Sequence, residues 1–347
     1  MNLHTWTISG NSFHFGRHGL GQEESGIHFP SDSLFAALVA ALAAAGRMAE
    51  MNSLVDAAPQ LAFSSAFPRA GDVRFFPAPV GAQRTADPPD SGLDAKDLKK
   101  ILYLSETLFR RWLQGEALHG LYAKAHAWQS KVLLAPEEWD VLPEAIRENK
   151  MPLWQVERQP RVTIDRRTNA STIYFTGRTV FAPGCGLWFA VRGLPAEGEV
   201  LVALERALME LEATGLGGER SSGYGQAQIT PAEDLNLPDH TGKPWISLSR
   251  YLPAEDEMAA LTSPQSAYAI EEIGGWLHSP RNPAQRRQAV RFLTEGSVFG
   301  PLEKAIPGQM VDVQPQYEDT HPLGHPVWRN GCALAVGLAF DPAGGEA

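Results

Sequence analysis

The segment best suited to chemistry is Gly215-Leu216-Gly217-Gly218-Glu219-Arg220-Ser221-Ser222-Gly223-Tyr224-Gly225. Five glycines in eleven residues let the backbone take positive φ and approach a ligand closely, while Arg220, Ser221 and Ser222 supply donors for phosphate. It is not a Walker A loop, because no Gly-Lys-Ser/Thr is present, and it lacks the G-x-G-x-x-G register of a dinucleotide site. Both of those loops run from a strand into a helix N-terminus, whereas this one leaves a helical pattern and enters a strand. Taken alone, the glycines fit an ordinary tight connection as well as an anion-binding loop.

Nearby arginines favour the second reading. Between Gln155 and Leu194 stand Arg158, Arg161, Arg166, Arg167, Arg178 and Arg192 against only Glu157 and Asp165. From Trp276 to Thr294 the chain carries Arg281, Arg286, Arg287 and Arg291 and no acid. Arginine outnumbers lysine 22 to 8, which suits bidentate phosphate contacts, although a GC-rich genome produces the same ratio. The clustering is the stronger signal.

Hydrolytic chemistry has few candidates. A metal-independent ribonuclease needs a general base, usually histidine, and His14, His18 and His28 fall in one excursion, each equally at home on a surface or in a core. His321 and His325 are flanked by Pro322, Gly324 and Pro326, so they cannot share a helix face as zinc ligands. Asp32 reads as a helix cap, and Glu255-Asp256-Glu257 and Glu271-Glu272 read as solvated faces. Asp165 suits a turn whose backbone N–H groups its carboxylate can accept.

The elements that would position these residues follow from periodicity. Leu3 to Ile8 alternates as a half-buried strand, and Asn11 to Gly26 is a glycine-punctuated excursion. After Ser31 and Asp32, a helix starts whose Leu34, Phe35, Leu38, Val39 and Leu42 share a face, ending at Gly46. Arg161–Ile164 and Thr172–Phe181 read as strands around a turn at 165–170, and Leu187–Val191 as another beyond Pro183-Gly184. Glu199 to Ala213 is an amphipathic helix ended by Gly215, and Tyr224 to Ile229 a short strand. The order strand, helix, insertion, strand, strand, helix, loop, strand is the ferredoxin-like split βαβ pattern. Residues 52–160 are the insertion, and Leu235–Lys243, rich in Pro, Asp and Gly, reads as a linker.

At 347 residues, with 44% hydrophobic and 20% charged residues, the chain suits about two globular domains. Two cysteines, Cys185 and Cys332, cannot make a disulfide framework. The most apolar stretch, Leu34–Ala45, is far short of the ~20 residues that span a bilayer, and a reducing cytoplasm is the expected location. A net charge of −10 argues against sequence-blind nucleic-acid binding, which leaves recognition by local basic islands.

A glycine loop after the second helix of a ferredoxin-like unit resembles the signature of the RAMP superfamily of CRISPR RNA-binding proteins. Ile27-His28-Phe29-Pro30-Ser31-Asp32-Ser33-Leu34-Phe35-Ala36-Ala37-Leu38, Arg161-Val162-Thr163-Ile164-Asp165-Arg166 and Ser247-Leu248-Ser249-Arg250-Tyr251-Leu252-Pro253 resemble, within it, subunit four of the type III-A Csm effector. Gly296-Ser297-Val298-Phe299 and His325-Pro326-Val327-Trp328-Arg329-Asn330-Gly331 carry the likeness to the C-terminus. The resemblance implies an α+β fold of two ferredoxin-like domains, 1–235 and 244–347, and a non-catalytic subunit that binds the repeat-derived 5′ handle of crRNA. Its implied partners are the large palm-domain subunit and the backbone RAMP subunits, with no cofactor, metal or membrane. By matching position, Gly217, Gly218, Arg220, Ser221 and Ser222 would form the RNA-facing loop, Arg161, Asp165 and Arg166 a hairpin that touches the handle, and Arg17 and His18 a further approach. The alternative is a metal-independent endoribonuclease of the same superfamily, processing precursor crRNA.

Overall fold

The computed structural model describes residues 1–16, 24–81, 99–129, 131–277, 285–316 and 323–343. Strands β1 (Asn2–Ser9) and β2 (Ser12–Phe13) lead into helices α1 (Ser31–Ala44) and α2 (Met48–Ala57). In α1, Leu34, Phe35, Leu38 and Leu42 share the buried face that the spacing predicts. Next come β3 (Ala62–Phe63), β4 (Phe67–Ala70), β5 (Val73–Pro77) and β6 (Tyr103–Ser105), then α3 (Glu106–Leu113) and α4 (Leu118–Lys124). β7 (His126–Trp128), β8 (Val132–Leu134) and α5 (Glu144–Arg147) precede a long hairpin of β9 (Trp154–Ile164) and β10 (Ser171–Phe181). β11 (Cys185–Arg192), α6 (Glu199–Thr214) and β12 (Gln228–Asn236) complete this part.

The main sheet runs β12–β1–β11–β4–β5–β6–β8–β7, with β3 also paired to β11 and only β6 and β8 parallel. β3 and β4 therefore add to the sheet from within 52–160, the stretch expected to be inserted, because Phe63 and Phe67 bury their rings beside β11. α1, α2 and α6 pack together, and Arg47 ties α2 to α6 through Glu210 at 2.8 Å. On α3, Phe109 stacks on Phe76 of β5, whose ring meets Trp188 of β11.

Beyond Asn236 the strands are short. β13 (Trp245–Ser247) precedes the single turn α7 (Met258–Leu261), β14 (Ile270–Ile273), β15 (Val290–Leu293) and β16 (Val298–Phe299). β17 (Met310–Asp312), β18 (Trp328–Asn330) and β19 (Ala335–Gly337) end the described strands. They pair in three small sheets, β16–β13–β19, β14–β15 and β17–β18. The two parts share one core, since Ile246, Leu248, Val298, Leu334, Val336 and Leu338 join the cluster built on Phe35, Phe63 and Trp188. The segment expected to be a linker is packed: Leu237 and His240 are buried, and Asp239 pairs with Arg192 at 2.9 Å. Its Pro, Asp and Gly turn the chain against the core rather than loosening it.

Candidate nucleic-acid interface

At the end of α6, Gly215 takes φ +84° and the glycine segment doubles back, the Leu216 N–H donating to the Gly225 carbonyl at 2.8 Å. The ring is pinned to β2 and the residue after it. The Gly225 N–H donates to the Ser12 carbonyl and the Gly218 N–H to the His14 carbonyl, both at 2.9 Å. Glycine is required at Gly217, where φ is +88° and a Cβ would stand 2.6 Å from the His14 carbonyl oxygen. The same holds at Gly225, where φ is +81° and a Cβ would stand 2.2 Å from the Leu216 oxygen.

These close approaches fold the inner half of the loop against the protein and leave the outer half outside. Arg220–Ser222 form a 3-10 turn between left-handed Glu219 and Gly223, and Gly218, Arg220, Ser221 and Ser222 are exposed. The Ser222 hydroxyl donates to the Glu219 carboxylate at 3.2 Å. The strand expected from Tyr224 begins only at Gln228, because the backbone of 224–225 is already bonded to loop and β2 partners.

The β9–β10 hairpin meets this loop through Arg161. Its guanidinium lies 5.5 Å from the centroid of the Tyr224 ring, and Nη2 donates to the Tyr224 hydroxyl at 3.2 Å. The same hydroxyl stands 2.8 Å from the Gln159 amide. Tyr224 is 5% exposed, so it is the support under Arg161 rather than an open stacking surface. The Arg161 Nε has no hydrogen-bond partner among the described residues.

Strand alternation makes the hairpin two-sided. Glu157, Gln159 and Arg161, with Arg178, Thr176 and Tyr174 opposite, form the face toward the loop, where Arg178 holds Glu157 at 2.7 Å. Val162, Ile164, Ile173 and Phe175 lie on the other face and are all exposed. Asp165 and Arg166 occupy the tip. Asp165 Oδ1 accepts from the Arg167 N–H at 2.8 Å, and this bond, with the Thr168 hydroxyl, holds its carboxyl below the usual range. Among the described residues, neither Asp165 nor Arg166 forms a hydrogen bond or ion pair with the glycine loop. Arg17 and His18 lie outside the described residues.

Among the described residues, the histidines weighed for hydrolysis each have a hydrogen-bond partner. His14 is buried under Gly218, with Nδ1 2.7 Å from the Gly177 carbonyl, and His28 Nδ1 stands 2.9 Å from the Tyr103 hydroxyl. His325 Nδ1 faces the Pro326 carbonyl at 3.0 Å, and His18 and His321 fall outside the described residues.

Two acids differ from their sequence readings. Asp32 does not cap α1. It is fully buried and receives Arg250 at 2.9 Å on Oδ1 and Arg329 at 3.1 Å on Oδ2. Glu257 is no solvated face: it is fully buried, accepts from Tyr251 at 2.7 Å and pairs with Lys304 at 2.6 Å. Burial alone would raise its carboxyl, but Lys304 and the N–H groups of Gly308 and Ala254 hold it below its usual value. No local pattern announced either group, since the Asp32 partners stand 218 and 297 residues away.

Residues 240–338 match the family model for the CRISPR Csm4 C-terminal domain. The chain is 26% identical over 333 residues to the CRISPR system Cms protein Csm4 of Mycobacterium tuberculosis H37Rv, covering 93% of this chain and 97% of that protein. It is 27% identical over 306 residues to its counterpart from Thermococcus onnurineus, covering 85% and 90%. Among solved structures, a chain of the Csm3-Csm4 subcomplex of a type III-A CRISPR-Cas interference complex superposes with TM-score 0.63 at 16% identity, covering 97% of this chain and 99% of that one. A chain of the Csm1-Csm4 cassette in complex with pppApA does so with TM-score 0.59 at 18% identity, covering 97% and 98%. The last two show a shared fold, and the sequence similarity runs almost from end to end, so the comparisons together support a Csm4 subunit of a type III CRISPR complex.

Proposed function

We propose that this subunit holds the single-stranded 5′ handle of crRNA where the glycine loop meets the β9–β10 hairpin, and that it does so without cutting. The observation that carries the reading is Arg161: a guanidinium that the hairpin sets over the loop's Tyr224, joining the two elements at the exposed Arg220, Ser221 and Ser222. Single-stranded RNA offers phosphates, 2′-hydroxyls and base faces to such a margin, so a chain of net charge −10 can bind it through one basic island. The carboxylates nearby are already engaged, Glu157 by Arg178 and Glu219 by Ser222.

The order β12–β1–β11–β4, with α1 and α6 in the two connections, supports a ferredoxin-like N-terminal unit on which loop and hairpin are mounted. Relatives solved as Csm3-Csm4 and Csm1-Csm4 support assembly between the backbone subunit and the large palm-domain subunit. The exposed apolar face of the hairpin suits a chain that works inside such an assembly. Labelled repeat RNA mixed with the purified protein in a chelator is expected to be retained on a native gel and recovered intact. A defined cleavage product would transfer the reading to the ribonuclease alternative, and no retention would overturn both.

A further inference from the structure

In the arginine-rich stretch, the described residues 276–277 and 285–294 form a surface apart from the glycine loop. Past β14 and β15 the two segments stay paired, through a Trp276–Arg286 bridge and a Leu277 N–H that donates to the Gln285 carbonyl at 2.8 Å. Trp276 is 52% exposed, and the Arg286 guanidinium lies 4.7 Å from its ring centroid. Arg287 Nη2 donates to the Gly274 carbonyl at 2.6 Å, passing over Gly275, where φ is +138°. The acids of the facing strand are already paired: Glu271 with Arg250 at 2.7 Å and Glu272 with Arg291 at 3.0 Å.

We infer that this hairpin end is a second contact for single-stranded RNA, separate from the glycine loop, with Trp276 stacked on a base and Arg286 and Arg287 set toward the adjoining phosphates. An indole left half in water exposes apolar surface without return, and a base covers it regardless of sequence, because every base has a π face. The charge chooses RNA over a protein surface. In a chain of net charge −10, the stretch from Trp276 to Thr294 holds four arginines and no acid; Arg291 is balanced by Glu272 across the strands, and the excess that remains complements a polyanion.

The test uses the full chain and a labelled oligouridylate of about 12 nucleotides that carries no repeat sequence. Ultraviolet cross-linking followed by mass spectrometry is expected to place uridine on the peptide containing Trp276. Trp276→Ala is expected to weaken binding about fivefold or more, with Trp276→Phe retaining most of the affinity. Arg286→Gln with Arg287→Gln is expected to make the salt slope shallower by about 1.4. Cross-links confined to 154–181 and 215–225, or a Trp276→Ala affinity within about twofold of the parent, would overturn the inference. So would a Trp276→Ala protein that binds RNA normally but loses a partner subunit, because the surface is then a protein interface. Because the oligomer lacks the handle, failure here is read separately from failure of the Arg220 and Arg161 variants on handle RNA.

Discussion

Replacing Asp32 with Asn keeps the volume of the side chain and removes the one negative charge between two buried guanidiniums. Arg250 retains Glu271 at 2.7 Å, but Arg329, only 10% exposed, is left with the Asp32 backbone carbonyl at 3.4 Å. Breaking a buried pair from one side costs about 3–5 kcal/mol, because the surviving charge stays desolvated. Unfolding entropy of about 2.1 cal/mol/K per residue, over 347 residues, gives about 0.7 kcal/mol/K, so Tm is expected to fall by about 4–7 °C. Scanning calorimetry of the parent, Asp32→Asn, Arg329→Met and the double variant measures this. The cycle should show coupling of about 1–3 kcal/mol, with Arg329→Met costing far less once Asp32 is already neutral. A Tm change below about 1 °C, or single effects that add within about 0.5 kcal/mol, would refute the account of Asp32 as the shared counter-ion.

Other outcomes are expected. Burial alone would raise the Glu295 carboxyl from 4.5, but His28, Arg250 and the Ser65 hydroxyl outweigh it and hold it at about 2. Its contribution is therefore full above about pH 4.5 and fades as pH falls toward about 2. Glu295→Gln should lower stability at pH 7 and flatten its decline between those limits in urea titrations, and a parallel pH profile would count against it. Removing Arg161, Arg166 and Arg220 together should weaken handle RNA binding and make the salt slope shallower by about 2, three contacts at about 0.7 each on a single strand. An unchanged slope would move the interface elsewhere. Gly217→Ala should destabilise the protein more than Gly223→Ala in thermal denaturation: both have positive φ, but only the Gly217 Cβ meets backbone, at 2.6 Å, while Gly223 has nothing within 4 Å. Equal losses would mean that the His14 contact is slack.

Much of this molecule was legible before folding because its signals are local. The apolar face of α1, the amphipathic α6, the hairpin around Asp165 and the glycine segment each depend on spacings of a few residues, and each stands where periodicity put it. The exposed outer loop and the turn-shaping role of Asp165 follow from the same short-range chemistry.

The misread acids and the misread linker depend on distant partners. Asp32 has the sequence context of a helix cap, and Glu257 that of a solvated acidic run, until the fold delivers Arg250, Arg329 and Lys304 to them. Residues 235–243 have a linker's composition but are held by Arg192 and the shared core. Local pattern therefore establishes which segments are helix, hairpin and glycine loop, since backbone preference and side-chain period act within a few residues. Whether an acid is solvated or buried, and whether Arg161 reaches Tyr224, is set by which segments the core brings together, because the charge on a side chain is stabilised by whatever replaces its water.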